Sequence, residues 1–353
     1  MTQQEFFTRY TYSPKADKLG GGSFGKVYKA YDTTLDKYVA IKVAEQLETA
    51  GKTFSLLDEF KALESLPDHV NIAKYEQLYT FESPQGVFDY AIMQYYADGN
   101  LSQLIYGQKL TAEQKENLAL QLLNGIGFLH QHKVVHRDMK PSNILIHNRI
   151  LGGNKEFIPK ITDFGLSKKA KTDKGTHFTN SIAAGTYAYS SPEQLKGEEL
   201  RFNTDLWAYG AIVYELFTGK TLFNIEKTST GSSALEVKEI LDNILKSDIS
   251  TKIAELPPKW QPAITACLER DAPKRVKKAD EILEILNGKV EPIAETIPLV
   301  EAPHAQETLV VPITPSPLER TGERKTKILE KNEKPAAPIT PSTLDKVGVR
   351  KNT

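Results

Sequence analysis

The chain has 353 residues, of which 40% are hydrophobic, so it is long enough for about two domains or one large two-lobed unit with a substantial core. Lys plus Arg and Asp plus Glu both number 45, and the formal net charge of zero excludes a strong overall field that would draw the protein to nucleic acid or anionic lipid. The single cysteine, Cys267, excludes an internal disulfide, and its apolar helical context predicts a buried structural residue. The sequence has no signal-peptide pattern and no run of about 18 apolar residues, which predicts a soluble protein without membrane contact in a reducing, cytoplasmic compartment.

The first elements in chain order are strands and one helix. Apolar residues at helical spacing predict a helix over residues 52–66, which Pro67 ends. The turn residues Ser83-Pro84-Gln85-Gly86 predict a hairpin between two strands. The predicted strands are 26–31, 37–44, 73–81 and 87–95.

After Asn100 the pattern becomes mainly helical. A glycine-containing stretch, residues 148–157, predicts a surface hairpin between two strands. A small sheet unit therefore precedes a larger helical unit. The predicted helices are 111–132, 203–219, 233–247, 259–268 and 279–287.

A glycine-rich loop near the start, Leu19-Gly20-Gly21-Gly22-Ser23-Phe24-Gly25-Lys26-Val27, has the spacing G-x-G-x-x-G. Alone this spacing is a weak signal, because plain turns and dinucleotide-binding loops share it. A dinucleotide loop opens a helix, whereas the residues after Gly25 continue as a strand, so we expect a loop that joins two strands and folds over phosphates. In the next strand, side-chain alternation puts Ala40 and Lys42 on one face, where a small side chain lies beside an ammonium.

The run His136-Arg137-Asp138-Met139-Lys140-Pro141-Ser142-Asn143 is followed, twenty positions after the Asn, by Asp163-Phe164-Gly165. Together the two segments supply a carboxylate, a cation, an amide and a second carboxylate, as phosphoryl transfer from a metal-bound nucleotide requires. Both segments resemble the catalytic loop and the metal-binding loop of eukaryotic-type (Hanks-type) Ser/Thr protein kinases. Ser191-Pro192-Glu193-Gln194 resembles the version common in bacterial members, and the likeness covers residues 13 to 288 or so.

The resemblance implies a fold of the α+β class with two lobes. The small N-terminal lobe, residues 13–96, would hold an antiparallel β-sheet and the helix that the family calls αC. The larger C-terminal lobe, residues 97–289, would be mainly α-helical. Residues 1–12 would be an N-terminal extension, and residues 290–353 a disordered, proline-rich C-terminal tail.

The resemblance also implies ATP and Mg²⁺ as cofactors and assigns the chemistry to four residues. Asp138 would orient the acceptor hydroxyl and accept its proton. Lys140 would steady the γ-phosphoryl group. Asn143 and Asp163 would hold the magnesium ions.

The nucleotide would lie between the glycine-rich loop and the strand of Lys42. Lys42 would contact the α- and β-phosphates and pair with Glu59, the position reached by counting back from His69-Val70-Asn71-Ile72, which resembles the family's H-x-N-I segment. Val27 and Ala40 would enclose the adenine, Met93 would be the gatekeeper, and backbone groups of Gln94 and Tyr96 would bond the adenine edge. The implied nucleotide-binding set is Leu19, Gly20, Gly21, Gly22, Ser23, Phe24, Gly25, Val27, Ala40, Lys42, Met93, Gln94 and Tyr96.

The substrate class follows from two places in the resemblance. Lys140, two residues after Asp138, and Gly185-Thr186 resemble Ser/Thr rather than tyrosine kinases, so the expected partners are proteins with Ser/Thr acceptors. Every catalytic position is filled, which favours an active, autophosphorylating enzyme over a nucleotide-binding pseudokinase scaffold without transfer activity. A small-molecule kinase of the same fold is a second alternative, which a Glu193–Arg275 pair would disfavour.

Regulation is a further hypothesis. Arg137 marks kinases whose activation loop is often ordered by a phosphate, and the candidates here are Ser181 first and Thr179 second. Residues 291–353 contain no aromatic residue and nine of the 19 prolines, a composition that does not fold. Within this tail a nine-residue segment recurs, which makes Thr314 and Thr340 candidate autophosphorylation sites for phosphothreonine-reading domains, unless the tail is an inert linker.

Overall fold

The computed structural model describes residues 1–22, 25–49, 52–151, 153–164, 187–224 and 233–289. The strands are β1 (Tyr10–Thr11), β2 (Lys18–Gly22), β3 (Gly25–Asp32), β4 (Lys37–Glu45), β5 (Leu47–Thr49), β6 (Lys52–Phe54), β7 (Tyr75–Ser83), β8 (Gly86–Gln94), β9 (Ile144–Leu151) and β10 (Asn154–Ile161). The helices are α1 (Gln3–Arg9), α2 (Leu56–Glu64), α3 (Leu101–Gly107), α4 (Ala112–Gln131), α5 (Pro192–Lys196), α6 (Phe202–Thr218), α7 (Ser233–Lys246), α8 (Ser250–Ile253), α9 (Gln261–Cys267) and α10 (Ala279–Leu286). An antiparallel sheet lobe precedes a mainly helical lobe, so the predicted α+β, two-lobed class is confirmed.

The small lobe is built on a six-stranded antiparallel sheet in which β1, β3, β4, β8 and β7 follow one another and β2 pairs with β3. The carboxylate of Asp32 accepts the amide hydrogens of Thr34 and Leu35, which fixes the turn between β3 and β4. Ser83 lies opposite Gly86 in the turn between β7 and β8. The predicted strands and the hairpin predicted at Ser83-Pro84-Gln85-Gly86 are therefore confirmed.

Helix α2 is shorter than the sequence predicts. The expected helix over 52–66 is wrong at its start, because Lys52–Phe54 pairs with β5 as a strand. Ser55 caps the helix by accepting the Leu57 amide, and a carboxylate from β8 accepts the Leu56 amide. The buried face of α2 carries Leu56, Glu59 and Leu63, while Leu57 is 40% exposed.

The large lobe packs around α6, which is buried almost all round, and the predicted helices there are confirmed within one or two residues. Trp207, Tyr209, Trp260 and Cys267 are fully buried, and for Cys267 this agrees with the buried structural role that the sequence predicts. The hairpin predicted at residues 148–157 forms the outer part of β9 and β10. Across the described ranges, we found no helix with the length and apolar character needed to cross a membrane.

Residues before the glycine-rich loop fold onto the outer face of the small-lobe sheet. Thr2 and Glu5 form a reciprocal capping box at the start of α1. The Phe6 ring is fully buried, with the rings of Tyr79 and Phe81 at centroid distances of 5.3 Å. At the other end, the Arg9 guanidinium donates two hydrogen bonds to the Asp32 carboxylate, at 2.9 and 2.8 Å. Helix α1 is thus held to the sheet by an apolar and an ionic contact.

Replacing Phe6 with alanine is expected to destabilise the small lobe by about 3 kcal/mol, because it leaves a cavity under α1. Phe7 is the matched control, since its side chain is 41% exposed and its removal opens no enclosed space. Thermal unfolding of the full chain measures the difference. Equal midpoints for Phe6→Ala and Phe7→Ala would show that α1 contributes nothing to the stability of the lobe.

Candidate active site

The inner face of the small-lobe sheet collects the residues expected around an adenine ring. Val27 lies opposite Lys42, and Ala40 lies opposite Met93, in the paired strands β3, β4 and β8. Ala40, Met93 and Tyr96 belong to one buried apolar cluster, against which Val27 packs. Leu145, from β9 of the large lobe, packs against the same cluster, so both lobes contribute to it. At the end of β8, Gln94 is exposed.

The glycines of the glycine-rich loop lie on two paired antiparallel strands, β2 and β3. Gly22 lies opposite Gly25, and Gly20 lies opposite Val27, so the loop joins strand to strand as the sequence predicts. Gly25 has φ +124°, and an added Cβ would approach the Val43 carbonyl oxygen to 2.3 Å, so only glycine fits there. Leu19 is 49% exposed. Ser23 and Phe24, the tip of the predicted loop, lie outside the described residues.

The Lys42 ammonium has three partners, one for each of its hydrogens. It lies 2.7 Å from Asp163 Oδ1, 3.1 Å from the Tyr75 hydroxyl and 3.4 Å from Glu59 Oε2. Glu59 is 2% exposed, whereas the Asp163 side chain is 40% exposed. The structure therefore joins β4, α2, β7 and the segment after β10 at one ammonium.

Burial and charge act against each other in this group. Burial alone would lower the pKa of Lys42, but the facing Tyr75, Asp163 and Glu59 raise it well above its usual value. Burial raises the pKa of Glu59, and the charge of Lys42 offsets this only in part. Burial would also raise the pKa of Asp163, yet the charge and hydrogen bond of Lys42 lower it overall. Lys42 is therefore held as a cation and Asp163 as an anion.

A buried carboxylate fixes the backbone of the catalytic loop. Asp205 accepts the amide hydrogens of His136 and Arg137, both at 2.8 Å. The His136 ring contacts the Thr162 carbonyl oxygen through Nε2 at 2.9 Å and accepts the Asp138 amide at Nδ1 at 3.2 Å. The tautomer with its proton on Nε2 satisfies both contacts. Arg137 has φ +69°, a strained conformation that this set of bonds holds in place.

Asp138, Lys140 and Asn143 form the second group of side chains. Lys140 Nζ lies 3.2 Å from Asp138 Oδ2. Asn143 Nδ2 donates to the same carboxylate oxygen at 3.1 Å and to the Asp138 carbonyl oxygen at 2.8 Å, so the amide oxygen points away from that carboxylate. The Thr162 amide donates to the Asn143 carbonyl oxygen at 3.0 Å, which places the catalytic loop beside Asp163.

These donors suit Mg²⁺ and a triphosphate. Carboxylate and amide oxygens from Asp163 and Asn143 are ligands that Mg²⁺ prefers, and Mg²⁺ in such sites usually keeps water and phosphate oxygens in its remaining positions. Asp163 has φ +59°, an uncommon conformation. Phe164, the next residue, is 2% exposed and packs 5.1 Å from the His136 ring. Gly165 lies outside the described residues.

A buried ion pair connects α5 with the segment before α10. Arg275 donates to both carboxylate oxygens of Glu193, at 2.7 and 2.9 Å, and the two side chains are 0% and 3% exposed. Thr204 donates to the same carboxylate at 2.9 Å. The predicted Glu193–Arg275 pair is therefore confirmed.

Two residues at the site carry no signal in the sequence. Tyr75 lies within the predicted strand 73–81, and Leu145 follows the catalytic-loop motif by two residues. No local pattern marks either one, because each reaches the site through the pairing of distant segments. The positions given for Glu59 and Lys42 came from motifs, and the structure brings these two together.

Comparison with known proteins gives the family. Residues 14–286 match the protein kinase domain. The chain is similar to a probable serine/threonine-protein kinase of Clostridium acetobutylicum, with 29% identity over 77% of this chain and 39% of that protein. It is also similar to probable serine/threonine-protein kinase PknB of Bifidobacterium longum, with 28% identity over 80% of this chain and 41% of that protein. A probable cell division protein kinase of Encephalitozoon cuniculi is 30% identical over 77% of this chain and 95% of its own length.

The chain spans about two fifths of the length of the two bacterial relatives. The domain match covers most of the chain and includes both lobes and both motif loops. On this ground, the chain belongs to the protein kinase family.

Proposed function

We propose that the chain is an active Ser/Thr protein kinase, which transfers the γ-phosphoryl group of ATP, with Mg²⁺, to Ser/Thr hydroxyls of proteins. The observation that carries this proposal is the simultaneous contact of Lys42 with Glu59 and Asp163. Protein kinases need both the lysine–glutamate pair and the metal-binding aspartate in place for transfer. Burial of Phe164 beside His136 supports the same arrangement, because this phenylalanine distinguishes active from inactive packing.

Each residue of the site has a role in the proposal. Asp138 orients the acceptor hydroxyl and takes its proton, and its carboxylate is held for this by Asn143 and Lys140. Lys140 and Lys42 present positive charge to the phosphate that is transferred. This charge stabilises the transition state most strongly in a site that excludes water. Asn143 and Asp163 supply oxygen ligands to Mg²⁺, which neutralises charge on the phosphates when it is bound.

The nucleotide part of the proposal assigns the adenine to the apolar cluster between the lobes. Val27 and Ala40 would enclose the ring, and Met93 would close the pocket behind it. Backbone groups of Gln94 and Tyr96 would bond its edge. The strand-to-strand loop would cover the phosphates with the set Leu19, Gly20, Gly21, Gly22, Ser23, Phe24 and Gly25.

A protein substrate is favoured over a small molecule. The relatives in Clostridium and Bifidobacterium are named as probable serine/threonine-protein kinases. Lys140 stands two residues after Asp138, as in the Ser/Thr class, and Glu193 and Arg275 fix the start of α5. Gly185-Thr186, the other sequence signal for this class, lies outside the described residues.

Replacing Asp138 with asparagine is expected to lower single-turnover transfer to a mixed Ser/Thr peptide library by about 10²- to 10⁴-fold, because the acceptor loses its base. Asp242→Asn, an exposed carboxylate on α7 paired with Lys246, is the matched control. Labelled ATP and quenched-flow sampling measure the rate. ATP binding by the wild type without any transfer would replace this proposal with the pseudokinase scaffold, and an unchanged rate in Asp138→Asn would remove Asp138 from the mechanism.

Regulation and location remain parts of the proposal. The buried Arg137 Nε has no hydrogen-bond partner among the described residues, which supports a phosphate-binding role for this side chain. The candidate phosphorylation sites Ser181 and Thr179, and Thr314 and Thr340 of the tail, lie outside the described residues. Phosphopeptide mapping of wild type against Asp138→Asn locates autophosphorylation among them. We also propose a cytoplasmic location and tail recognition by phosphothreonine-reading domains.

A further inference from the structure

Tyr75 points into the active site because strand β7 contains a bulge. Tyr75 lies opposite Met93 in β8, but Gln77 lies opposite Ile92, so two steps along β7 match one step along β8. A bulge of this kind moves the side chains that precede it to the opposite face of the sheet. Gln77 accordingly lies on the outer face, where it accepts a hydrogen bond from the hydroxyl of Tyr10, while Tyr75 lies on the inner face with Lys42.

The Tyr75 hydroxyl connects the two ions of the buried pair. It donates to Glu59 Oε1 at 2.9 Å and accepts from Lys42 Nζ at 3.1 Å. The direct contact between Lys42 and Glu59 is longer, at 3.4 Å. Burial raises the pKa of Tyr75 well above its usual value, so the hydroxyl remains protonated and can donate. The ring itself packs against the apolar cluster of Ala40 and Met93.

The segment before Tyr75 is bonded to the large lobe. The Ala73 amide donates to the Ile161 carbonyl oxygen at 2.9 Å, and the Ile161 amide donates to the Asn71 carbonyl oxygen at 2.8 Å. Ile161 precedes Asp163 by two residues. Tyr75 therefore extends from a backbone fixed beside Asp163 to side chains of the small lobe.

We propose that Tyr75 is a positioning residue for the phosphates of the nucleotide, acting through Lys42. This rests on the proposed function, in which Lys42 contacts phosphate. To do so, the ammonium exchanges one of its three partners, and the exposed one is Asp163, since Glu59 is buried. The Tyr75 hydroxyl and Glu59 then remain as the two protein partners of the Lys42 ammonium. Without the hydroxyl, Lys42 keeps only the longer bond to Glu59 and stays closer to Asp163, which competes with phosphate for the ammonium.

Tyr75→Phe in the full chain tests this, because phenylalanine keeps the ring and removes only the hydroxyl. Isothermal titration calorimetry is run with ATP plus Mg²⁺ and, separately, with adenosine. The expected result is an increase of about tenfold in the Kd of ATP, the size of one hydrogen bond to a charged group. The Kd of adenosine should stay unchanged, since adenosine has no phosphate to contact Lys42.

The matched control is Tyr79→Phe, in the same strand, whose hydroxyl donates to Gln77 at 2.6 Å on the outer face. It should alter neither affinity. In a Lys42→Met background, Tyr75→Phe should have no further effect on the Kd of ATP, since the residue through which it acts is gone.

Three results would overturn the assignment of Tyr75. The first is an equal loss of ATP and adenosine affinity in Tyr75→Phe, which would indicate a structural role. The second is an unchanged ATP affinity, and the third is the same tenfold loss in the Lys42→Met background. A wild-type chain that binds neither compound would instead refute the proposed function.

Discussion

Asp163→Asn is expected to lower kcat for peptide phosphorylation by about 10⁴-fold, equivalent to about 5.5 kcal/mol of transition-state stabilisation. The asparagine has nearly the same shape but no charge for the metal ion. The fold should persist, because the Asp163 side chain is 40% exposed and Lys42 keeps its bonds to Glu59 and Tyr75. The variant separates the loss of a metal ligand from the loss of structure.

The measurement is the affinity for ATP with and without Mg²⁺, beside the turnover rate. Wild-type affinity should increase with Mg²⁺, and the Asp163→Asn affinity should respond little to it. Asp242→Asn, on the surface of α7, serves as the control and should behave as wild type. If Asp163→Asn retained the full Mg²⁺ dependence, another group would be the metal ligand and the assigned role of Asp163 would be wrong.

The sequence sufficed for those parts of the site that depend on short spacings. Asp138 and Asn143 lie five residues apart on one braced loop, so the motif alone brings them together. Alternation along β4 put Ala40 and Lys42 on one face, and the strand register of the structure agrees. The resemblance of residues 13 to 288 to protein kinases predicted the two lobes that contain these residues.

The sequence could not reveal features that depend on irregularities or on distant pairing. Regular alternation would put Tyr75, Gln77 and Tyr79 on the same face, and only the bulge in β7 turns Tyr75 inward. Helix α1 has a single fully buried side chain, Phe6, so it offers no apolar repeat to detect. The start of α2 was misplaced because Phe54 continues the apolar spacing of the helix although it belongs to a strand.

Arg275→Ala is expected to produce the largest loss of stability, about 4 kcal/mol, because it leaves the Glu193 carboxylate buried without its partner. In a chain of this size such a loss corresponds to a fall of about 8 °C in the unfolding midpoint. Arg201→Ala is the control: Arg201 pairs with Glu199 at 3.1 Å, but both side chains are exposed, so its removal should change little. Equal midpoints for the two variants would contradict the assigned importance of the buried pair.

The pH dependence identifies charge as the cause. Burial alone would raise the pKa of Glu193, but the hydrogen bonds and charge of Arg275 hold it below its usual value. In Arg275→Ala the guanidinium is absent, so the folded-state pKa of Glu193 rises above its value in the unfolded chain. The buried carboxylate then destabilises the fold only while it is ionised. The loss in free energy of unfolding relative to wild type should therefore be largest at neutral pH. It should decrease as the pH falls through the raised pKa of Glu193. The double variant Glu193→Gln/Arg275→Met should recover most of the stability at neutral pH, since it buries no unpaired charge. A deficit that stayed constant with pH, or persisted in the double variant, would instead assign the effect to the other contacts of Arg275. These are its hydrogen bonds to the Glu269 and Asn203 carbonyl oxygens, at 2.7 and 3.0 Å, and its packing over Trp207 at 5.1 Å.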